Sequence, residues 1–357
     1  MPDASPASAL AVEQPVRVRL LCAHGRVRRV DAAWRRLPVE QLWMGRQAQT
    51  IEPVLSRILT VCLQAHLGAA QQAVRAALRA PPEPPAPDGD TLPAIDTRIR
   101  LEAARDTLRR WLLDYPRVFG GVWNQNALRA WQGINGTAAL AAYCRMYVFG
   151  MKPDAWLALD EPALSVWIKT GAALPARWLR SGLFEPLRRT LLPPSVNLLE
   201  WATAHAHELL HGGMPTPAPP HAQSDTVPSQ RNLPSALLLH RLRRLAQACS
   251  DTAMRTHGGL RNADIGIGWA RTARGLLLHL ARVEQGRVSA YRILPPTLWN
   301  TAPGGILASA LTGLESAEAE RSAQQLLLLL DPCAPFEITL AQETLPPAEN
   351  TGGVGHA

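Results

Sequence analysis

Lysine is nearly absent from this sequence, although the chain is strongly basic. Only Lys152 and Lys169 occur among 357 residues, so the formal net charge of +8 comes almost entirely from arginine. The guanidinium group matches phosphate and carboxylate, so an arginine-rich chain suits nucleic acid or an acidic protein. The arginines are scattered along the whole chain, and neither a zinc-finger spacing nor an aromatic stacking motif accompanies them. We therefore expect no nucleic-acid binding and interpret the charge as a solvated surface that favours an acidic protein partner.

Cysteines and long apolar runs are also scarce. The five cysteines are widely spaced and form no CxxC pair, so we expect free thiols or metal ligands rather than a disulfide framework. The longest uninterrupted leucine run, Leu326 to Leu330, is far too short to cross a membrane. The first residues contain an early acid and no basic start, which is not typical of a secretory signal. These features predict a cytoplasmic protein without a membrane span.

The hydrophobic periodicity predicts an α+β fold that is mainly helical, with a small β portion. Residues 16–30 predict two strands that turn near Gly25, and 274–294 predict a late hairpin that turns at Glu284-Gln285-Gly286. Helices are expected over 52–79, most of 96–211, 235–256 and 315–330. We expect one domain over 1–357, with proline-rich loops at about 81–93 and 212–234 and a flexible tail from about 343. Seven of the eleven tryptophans lie within 96–211 and are expected in the core.

One short motif suggests zinc chemistry. His207-Glu208-Leu209-Leu210-His211 matches HExxH, in which two imidazoles four residues apart hold zinc and the glutamate polarises a bound water. No further glutamate follows until Glu284, and Met214 and Pro217 stand where a longer zinc motif has glycine and histidine. Glycines and prolines also end the helix directly after the motif. A zinc hydrolase is therefore only the less favoured alternative.

Two other potential metal ligands, Cys62 and His66, lie in the stretch RILTVCLQAH. On a continuous helix their spacing places both on one face. Cys333 follows Asp331-Pro332, where the proline ends the last helix. Taken alone, each cysteine is more typical of a buried core residue. Any metal site must therefore combine segments that are distant in the sequence.

At three places, in the same order, the sequence resembles the large subunit of [NiFe] hydrogenases. The segment SRILTVCLQAH, which ends at His66, resembles that family's SRICGVCxxxH. The segment ARGLLLH, which ends at His279, is followed by GRV, Tyr291 and PTLWN, and resembles PRGxLxH…G.I..Y…PSTWN. Asp331-Pro332-Cys333 resembles the terminal DPCxxC. The resemblance implies a large-subunit-like fold.

The departures from that pattern concern nickel. In the resembled family, two CxxC pairs hold nickel, and two of the four thiolates bridge to an iron that carries cyanide and carbon monoxide. Leu59 and Phe336 replace one cysteine of each pair, which leaves Cys62 at a bridging position and Cys333 at a terminal nickel position. Two thiolates are too few to hold nickel firmly. We therefore expect no nickel and no hydrogen turnover.

The residues that surround the iron in the resembled family have counterparts in this sequence. The resemblance implies that Arg274 and Thr297 contact the cyanides, since a guanidinium and a hydroxyl supply hydrogen-bond donors. It also implies that His66 acts beside Cys62, where it tunes a sulfur or relays a proton. We further expect the cationic Arg274 to favour the thiolate form of the cysteine.

This combination resembles the HupK/HoxV-type hydrogenase maturation proteins, which are similar to degenerate large subunits. The resemblance implies a non-enzymatic scaffold that transiently holds an Fe(CN)2(CO) unit before passing it to the hydrogenase large-subunit precursor. The partners implied are that precursor, a HypC-type chaperone and a HypD-type iron assembly protein. A cluster-free, large-subunit-like interaction protein or chaperone remains the alternative.

Overall fold

The architecture comes from a computed structural model, which describes residues 14–79, 94–121, 125–181, 187, 197–214, 232–250 and 255–342. The strands are β1 (Val16–Ala23), β2 (Arg26–Ala33), β3 (His257–Asn262), β4 (Ile265–Thr272), β5 (Gly275–Glu284), β6 (Arg287–Leu294) and β7 (Phe336–Gln342). The helices are α1 (Ile51–Ile58), α2 (Leu63–Ala77), α3 (Ala94–Leu113), α4 (Tyr115–Phe119), α5 (Gln125–Gln132), α6 (Thr137–Cys144), α7 (Pro153–Leu157), α8 (Glu161–Thr170), α9 (Leu174–Arg180), α10 (Leu198–Ala204), α11 (Ala206–Leu210), α12 (Leu233–Ala248), α13 (Pro296–Thr301), α14 (Ile306–Leu311) and α15 (Ser316–Leu330). The predicted α+β class, mainly helical, is confirmed.

Some predictions concern residues outside this description. The predicted loop at 81–93, the tail from 343 and most of the loop at 212–234 lie outside the described residues. The single domain over 1–357 stays a prediction for the same reason. None of the helices in the described ranges combines the length and the apolar content needed to cross a bilayer.

The first sheet has the strand order β2-β1-β7. β1 and β2 form the predicted N-terminal pair, with His24 and Gly25 both at positive φ in the turn. β7 pairs with β1 in parallel, beginning at Val16 opposite Phe336. The backbone N–H of Val16 also donates to the carbonyl of Pro335 at 2.8 Å. The segment before β7, which contains Cys333, is therefore attached to the start of β1.

The second sheet is an antiparallel meander in the order β3-β4-β5-β6. β5 and β6 are the predicted late hairpin, and Gln285 and Gly286 adopt the positive φ angles that its turn requires. β3 and β4 were not predicted from the sequence. These two strands contain four glycines, Gly258, Gly259, Gly266 and Gly268, and glycine has a low preference for strands.

The strand glycines allow α2 to lie directly on the second sheet. A Cβ atom at Gly268 would lie 1.8 Å from the carbonyl oxygen of Ala69, and one at Gly266 would lie 2.0 Å from that of Ala73. Both alanines are fully buried on α2. Only residues without side chains on β4 permit this contact between helix and strand backbones. The contact fixes the start of α2, and therefore Cys62, against this sheet.

The helix predicted over 52–79 is broken in two. Leu59 is extended, and Cys62 has a left-handed backbone, φ 54° and ψ 33°, at the N-cap of α2. The carboxylate of Glu102 accepts hydrogen bonds from the backbone N–H groups of Gln64 and Ala65 at 2.9 and 3.1 Å, and so stabilises a new helix start. The prediction of one continuous helix over 52–79 is therefore wrong, although the backbone N–H of His66 still donates to the carbonyl of Cys62.

The tryptophans of the helical part are mostly in the core, as predicted. Trp111, Trp156, Trp167 and Trp178 are buried. The indole N–H of Trp167 donates to the carbonyl of Phe149 at 2.8 Å, so this ring satisfies its polar group while it fills apolar space. These four tryptophans lie in the same hydrophobic core as residues of β1 and α15.

Candidate functional site

Cys62 lies in contact with a buried charged group. The cysteine is 7% exposed, and Arg274 Nη1 donates to its sulfur at 2.9 Å. The same nitrogen donates to Asp106 Oδ2 on α3 at 2.8 Å, and this oxygen is 4.0 Å from the sulfur. Arg274 is 2% exposed and directly precedes β5. A thiol, a guanidinium and a carboxylate from three distant segments therefore meet at one point.

Arg274 also connects this point to the last motif. Its Nε lies 3.5 Å from Asp331 Oδ2, and Asp331 is 1% exposed at the end of α15. Arg110 contacts the same carboxylate and donates to the carbonyl of Pro332 at 3.3 Å, while Arg241 lies 3.9 Å away. Burial raises the pKa of Asp331, but the three guanidinium groups outweigh burial and lower it below its ordinary value. The ionised carboxylate therefore holds the chain just before Cys333.

Thr297 positions Cys333. Its hydroxyl oxygen accepts from the backbone N–H of Cys333 at 3.1 Å and lies 3.2 Å from the Cys333 sulfur. Thr297 is buried in the first turn of α13, while Cys333 is partly exposed. The hydroxyl thus orients both the backbone and the sulfur of this cysteine. The contact with a cyanide that the resemblance implies for Thr297 stays a prediction.

The structure brings both cysteines to the Arg274–Asp331 pair. Cys62 contacts Arg274, and Cys333 follows Asp331 by two residues. The two thiols are close enough that the charge of Cys333 is among the causes that raise the pKa of Cys62. Within the described ranges, no cluster of three or more His, Cys, Asp or Glu side chains could hold a metal ion. The two cysteines therefore offer a pair of sulfur atoms rather than a complete protein coordination sphere.

Arg274 favours the thiolate form of Cys62, as expected, because its charge lowers the pKa of this thiol, but burial outweighs that effect in the protein alone. Burial raises the pKa of Cys62 to about 12, and although Arg274 lowers it, the charges of Asp106 and Glu102 raise it further. Loss of hydration therefore outweighs the nearby guanidinium. Cys62 is a thiol at neutral pH, and a metal must displace its proton in order to bind.

His66 belongs to a chain of three side chains. Its Nδ1 lies 2.9 Å from His279 Nε2, and His279 Nδ1 lies 2.6 Å from Tyr291 Oη. Burial lowers the pKa of His66 to about 3, and the charges of Arg36 and Arg274 lower it further. Arg274 therefore influences His66, although no hydrogen bond joins the His66 imidazole to the Cys62 sulfur among the described residues. The predicted action of His66 on a sulfur stays a prediction.

The HExxH motif forms no comparable site. His207, Glu208 and His211 are exposed, and α11, which carries the first two, has only five residues. The two imidazole centroids are 4.6 Å apart, but no third ligand completes a zinc site within the described ranges. The nearby His205 Nδ1 instead contacts the carbonyl of Trp201 at 2.8 Å. The geometry gives the zinc-hydrolase alternative no support.

Sequence reasoning missed three contributors to the site. Asp106 accepts a hydrogen bond from Arg274 beside the Cys62 sulfur, and Glu102 caps the first turn of α2. His279 contacts the imidazole of His66. Glu102 and Asp106 are four residues apart on α3, so both face α2. Two acidic residues at this spacing on an otherwise arginine-rich helix were the sequence signal that could have identified Glu102 and Asp106. His279 lies within the resembled motif, but its partner could not be identified without the sheet.

Similar proteins were found by sequence. No protein-family model matches the chain. A hydrogenase expression/formation protein HoxV from Cupriavidus necator is 29% identical, over 85% of this chain and 90% of its own length. HupV from Azotobacter chroococcum is 28% identical over 91% and 97%, and HupK from Azotobacter vinelandii is 32% identical over 52% and 55%. Both are also named hydrogenase expression/formation proteins.

Solved structures show the fold. A NAD+-reducing [NiFe]-hydrogenase chain has a TM-score of 0.52 at 13% identity, over 88% of this chain and 94% of that chain. A [NiFeSe] hydrogenase variant from Desulfovibrio vulgaris Hildenborough has a TM-score of 0.50 at 12% identity, with the same coverage. The predicted resemblance is confirmed. This chain is a homologue of the HoxV, HupK and HupV hydrogenase expression/formation proteins, built on the fold of a [NiFe] hydrogenase large subunit.

Proposed function

We propose that this chain takes part in hydrogenase maturation as a non-enzymatic scaffold, which transiently holds the Fe(CN)2(CO) unit and passes it to the large-subunit precursor. The iron unit is the cargo of this reaction. The observation that carries the proposal is the Arg274–Asp331 pair, in which Arg274 contacts Cys62 and Asp331 precedes Cys333 by two residues. The maturation role is inferred from the relatives, which are named expression/formation proteins.

The donor set suits the iron unit better than nickel. Low-spin ferrous iron that already carries diatomic ligands needs few protein ligands, and soft thiolates suit it. Leu59 lies in the extended link before α2, and Phe336 is the first residue of β7. Neither can bind a metal at the positions where the resembled family has cysteine. Nickel would therefore have only Cys62 and Cys333, and we expect none.

Hydrogen-bond donors remain for the cyanide nitrogens. Arg274 uses Nη1 on Cys62 and Asp106 and turns Nε towards Asp331, so no described residue engages its Nη2. This nitrogen suits an anionic acceptor near the Cys62 sulfur. The Thr297 hydroxyl, 3.2 Å from the Cys333 sulfur, supplies a donor at the other cysteine. In this proposal, two sulfurs and two donors surround one iron unit.

Transfer of a cargo requires partner proteins, and one surface beside the site suits them. Ile58, the last residue of α1, and Val61, in the link just before Cys62, are 39% and 37% exposed. Exposed apolar residues beside a functional cysteine favour contact with another protein. The expected partners are a HypC-type chaperone, a HypD-type iron assembly protein and the large-subunit precursor. The net charge of +8 favours an acidic partner surface.

A cluster-free interaction protein is the second candidate function. The raised pKa of Cys62 favours it, because the protonated thiol does not bind iron until it loses its proton. The chain would then occupy maturation partners through its large-subunit-like surface alone. Both candidates predict partner binding, so only the iron unit distinguishes them.

Infrared spectroscopy of the purified chain tests the proposal. The protein is co-expressed anaerobically with the maturation partners, and the scaffold predicts stretching bands of iron-bound cyanide and carbon monoxide. The bands should disappear in Cys62→Ala and in Cys333→Ala. Cys249→Ala is the matched control, because this buried thiol contacts the carbonyl of Leu245 and lies outside the site. A wild-type chain that binds partners without any such bands would support the cluster-free candidate and contradict the scaffold.

A further inference from the structure

A chain of hydrogen bonds crosses the interface between α2 and the second sheet. His66 on α2 contacts His279 on β5 at 2.9 Å, and His279 contacts Tyr291 on β6 at 2.6 Å. The His279 side chain is completely buried, and Tyr291 is 5% exposed and packs against Trp43. The polar groups of His279 and Tyr291 therefore depend on these hydrogen bonds rather than on water, while His66 at the other end is partly exposed.

The tyrosine hydroxyl determines which group donates in each of these hydrogen bonds. Among the described residues, His279 Nδ1 is the one hydrogen-bond partner of Tyr291 Oη. A buried hydroxyl proton without an acceptor costs about 1–3 kcal/mol. If His279 donated to the oxygen, the hydroxyl proton would lose its acceptor. Tyr291 therefore donates to His279 Nδ1.

The hydrogen bond from Tyr291 then determines which nitrogen of each histidine carries the proton. A neutral imidazole carries one proton, so His279, which accepts at Nδ1, carries its proton on Nε2. That N–H donates to His66 Nδ1, and the proton of His66 must be on Nε2. Burial lowers the pKa of both histidines below the ordinary value, and the charge of Arg36 lowers it further in each. Both rings are therefore neutral at neutral pH, as this assignment requires.

We propose that Tyr291 and His279 are positioning residues that fix His66 as the Nε2–H tautomer, so that His66 offers a neutral N–H donor to an anionic ligand of the Cys62–Arg274 site. His66 lies one helical turn beyond Cys62, and its backbone N–H donates to the Cys62 carbonyl at 2.9 Å. The nature of the anionic ligand, a cyanide nitrogen or a thiolate, rests on the proposed function. The tautomer itself does not.

This assignment excludes His66 as a metal ligand. Its Nδ1 lone pair accepts from His279, and its Nε2 carries a proton, so no lone pair remains for iron. A neutral donor also adds no charge to a site that already contains three arginines around Asp331. His66 would thus stabilise a bound anion without competing with the cysteines for the metal.

Nuclear magnetic resonance of the iron-free, full-length chain with 15N-labelled histidine tests the tautomers. Two-bond 1H–15N correlations distinguish Nε2–H from Nδ1–H, and His66→Gln and His279→Gln assign the signals. We expect both histidines as Nε2–H in the wild type. Tyr291→Phe keeps the ring but removes the hydroxyl group, so that nothing fixes the proton position on His279, and both histidines should become mixtures of the Nδ1–H and Nε2–H tautomers. Tyr143→Phe, in the helical core, is the control that should change neither.

The outcomes separate this inference from the proposed function. A wild-type His66 that carries its proton on Nδ1, or on both nitrogens at neutral pH, overturns the inference, as does an unchanged pattern in Tyr291→Phe. In the iron-loaded chain, Tyr291→Phe should keep the cyanide bands but shift their frequencies. Unshifted bands overturn the donor role. Absence of bands from every variant, with the tautomers as expected, contradicts only the proposed function.

Discussion

Arg274 Nη1 lies 2.9 Å from the Cys62 sulfur, although the two residues are 212 positions apart in the chain. The contact joins the start of α2 to the start of β5, and through Asp331 it extends to the residues before Cys333. A single buried guanidinium therefore connects the three segments that resemble hydrogenase motifs. Its three contacts need a planar group with several nitrogens, which leads to the first prediction.

Arg274→Lys should remove iron binding while keeping the positive charge. The single ammonium of lysine cannot contact Cys62, Asp106 and Asp331 together, so at least one buried charge loses its partner. We expect the iron-bound infrared bands to be lost and the free energy of unfolding to fall by about 3–5 kcal/mol. Arg282→Lys, on the strand β5 that follows Arg274, is the control, because Arg282 pairs with the exposed Asp264. Retention of full bands in Arg274→Lys would contradict the assigned role.

Asp331→Asn should destabilise the chain by about 3 kcal/mol, because three guanidinium groups lose their shared buried carboxylate. Urea denaturation measures the change. Asp114→Asn is the matched control, since Asp114 contacts only one of these arginines, Arg110, and is partly exposed. Its cost should be about 0–1 kcal/mol. Equal costs for the two substitutions would show that the arginine cluster does not depend on Asp331.

Gly268→Ala should disrupt the packing of α2 on the second sheet. The added Cβ would lie 1.8 Å from the backbone oxygen of Ala69, so helix and strand must separate. We expect a loss of about 3 kcal/mol or more in the free energy of unfolding, measured by thermal or urea denaturation. Gly133→Ala is the control, because its Cβ would make an ordinary contact of 3.4 Å. A stability of Gly268→Ala within 1 kcal/mol of the control would contradict the described packing.

The free energy of unfolding should fall as the pH is lowered through the range in which histidine in the unfolded chain becomes protonated. Burial lowers the folded-state pKa of His66 to about 3 and that of His279 well below its ordinary value, while the unfolded pKa is about 6.5. Protonation therefore favours the unfolded state, so the stability is complete above pH 6.5 and declines below it. Between pH 7.5 and 5.5 we expect a loss of about 1.4 kcal/mol per buried histidine.

Urea titrations at these two pH values measure that loss. His279→Gln should reduce the pH dependence, because it removes one neutral histidine from the core. The charges of Arg36 and Arg274 lower the pKa of His66, but arginine does not titrate in this pH range, so these two residues do not contribute a slope. The same pH dependence in His279→Gln and in the wild type would show that other groups cause it.

Zinc analysis tests the remaining enzyme hypothesis. We expect less than stoichiometric zinc in the purified chain and no change in metal content on His207→Ala, because the exposed HExxH side chains find no third ligand in the described ranges. Stoichiometric zinc that disappears in this variant would restore the zinc-hydrolase alternative.

Local signals made part of the fold predictable from sequence. Gly25 and Gly286 marked two turns with positive φ, and alternating apolar residues marked the strands beside them. β3 and β4 escaped prediction because their glycines are suited to the close approach of α2, which is a tertiary contact. The helix break before Cys62 was not predictable for a similar reason, because the side chain that caps α2 is Glu102 on another helix.

The candidate site was predictable only in part. The ordered motifs indicated Cys62, Arg274, Thr297 and Cys333, and the structure brings these residues to one region. The protonated state of Cys62 was not predictable, because it depends on burial and on the charges of neighbouring acids. Sequence spacing gives neither quantity.

The short link that contains Cys333 is held at both ends. Asp331 is bound by arginines on one side, and β7 begins at Phe336, in parallel pairing with β1, on the other. Little backbone freedom remains between these two anchors, so a ligand that binds this sulfur loses little additional chain entropy. Under the proposed function, release of the iron unit from Cys333 therefore needs no opening of this segment, and we expect its rate to depend on the incoming protein.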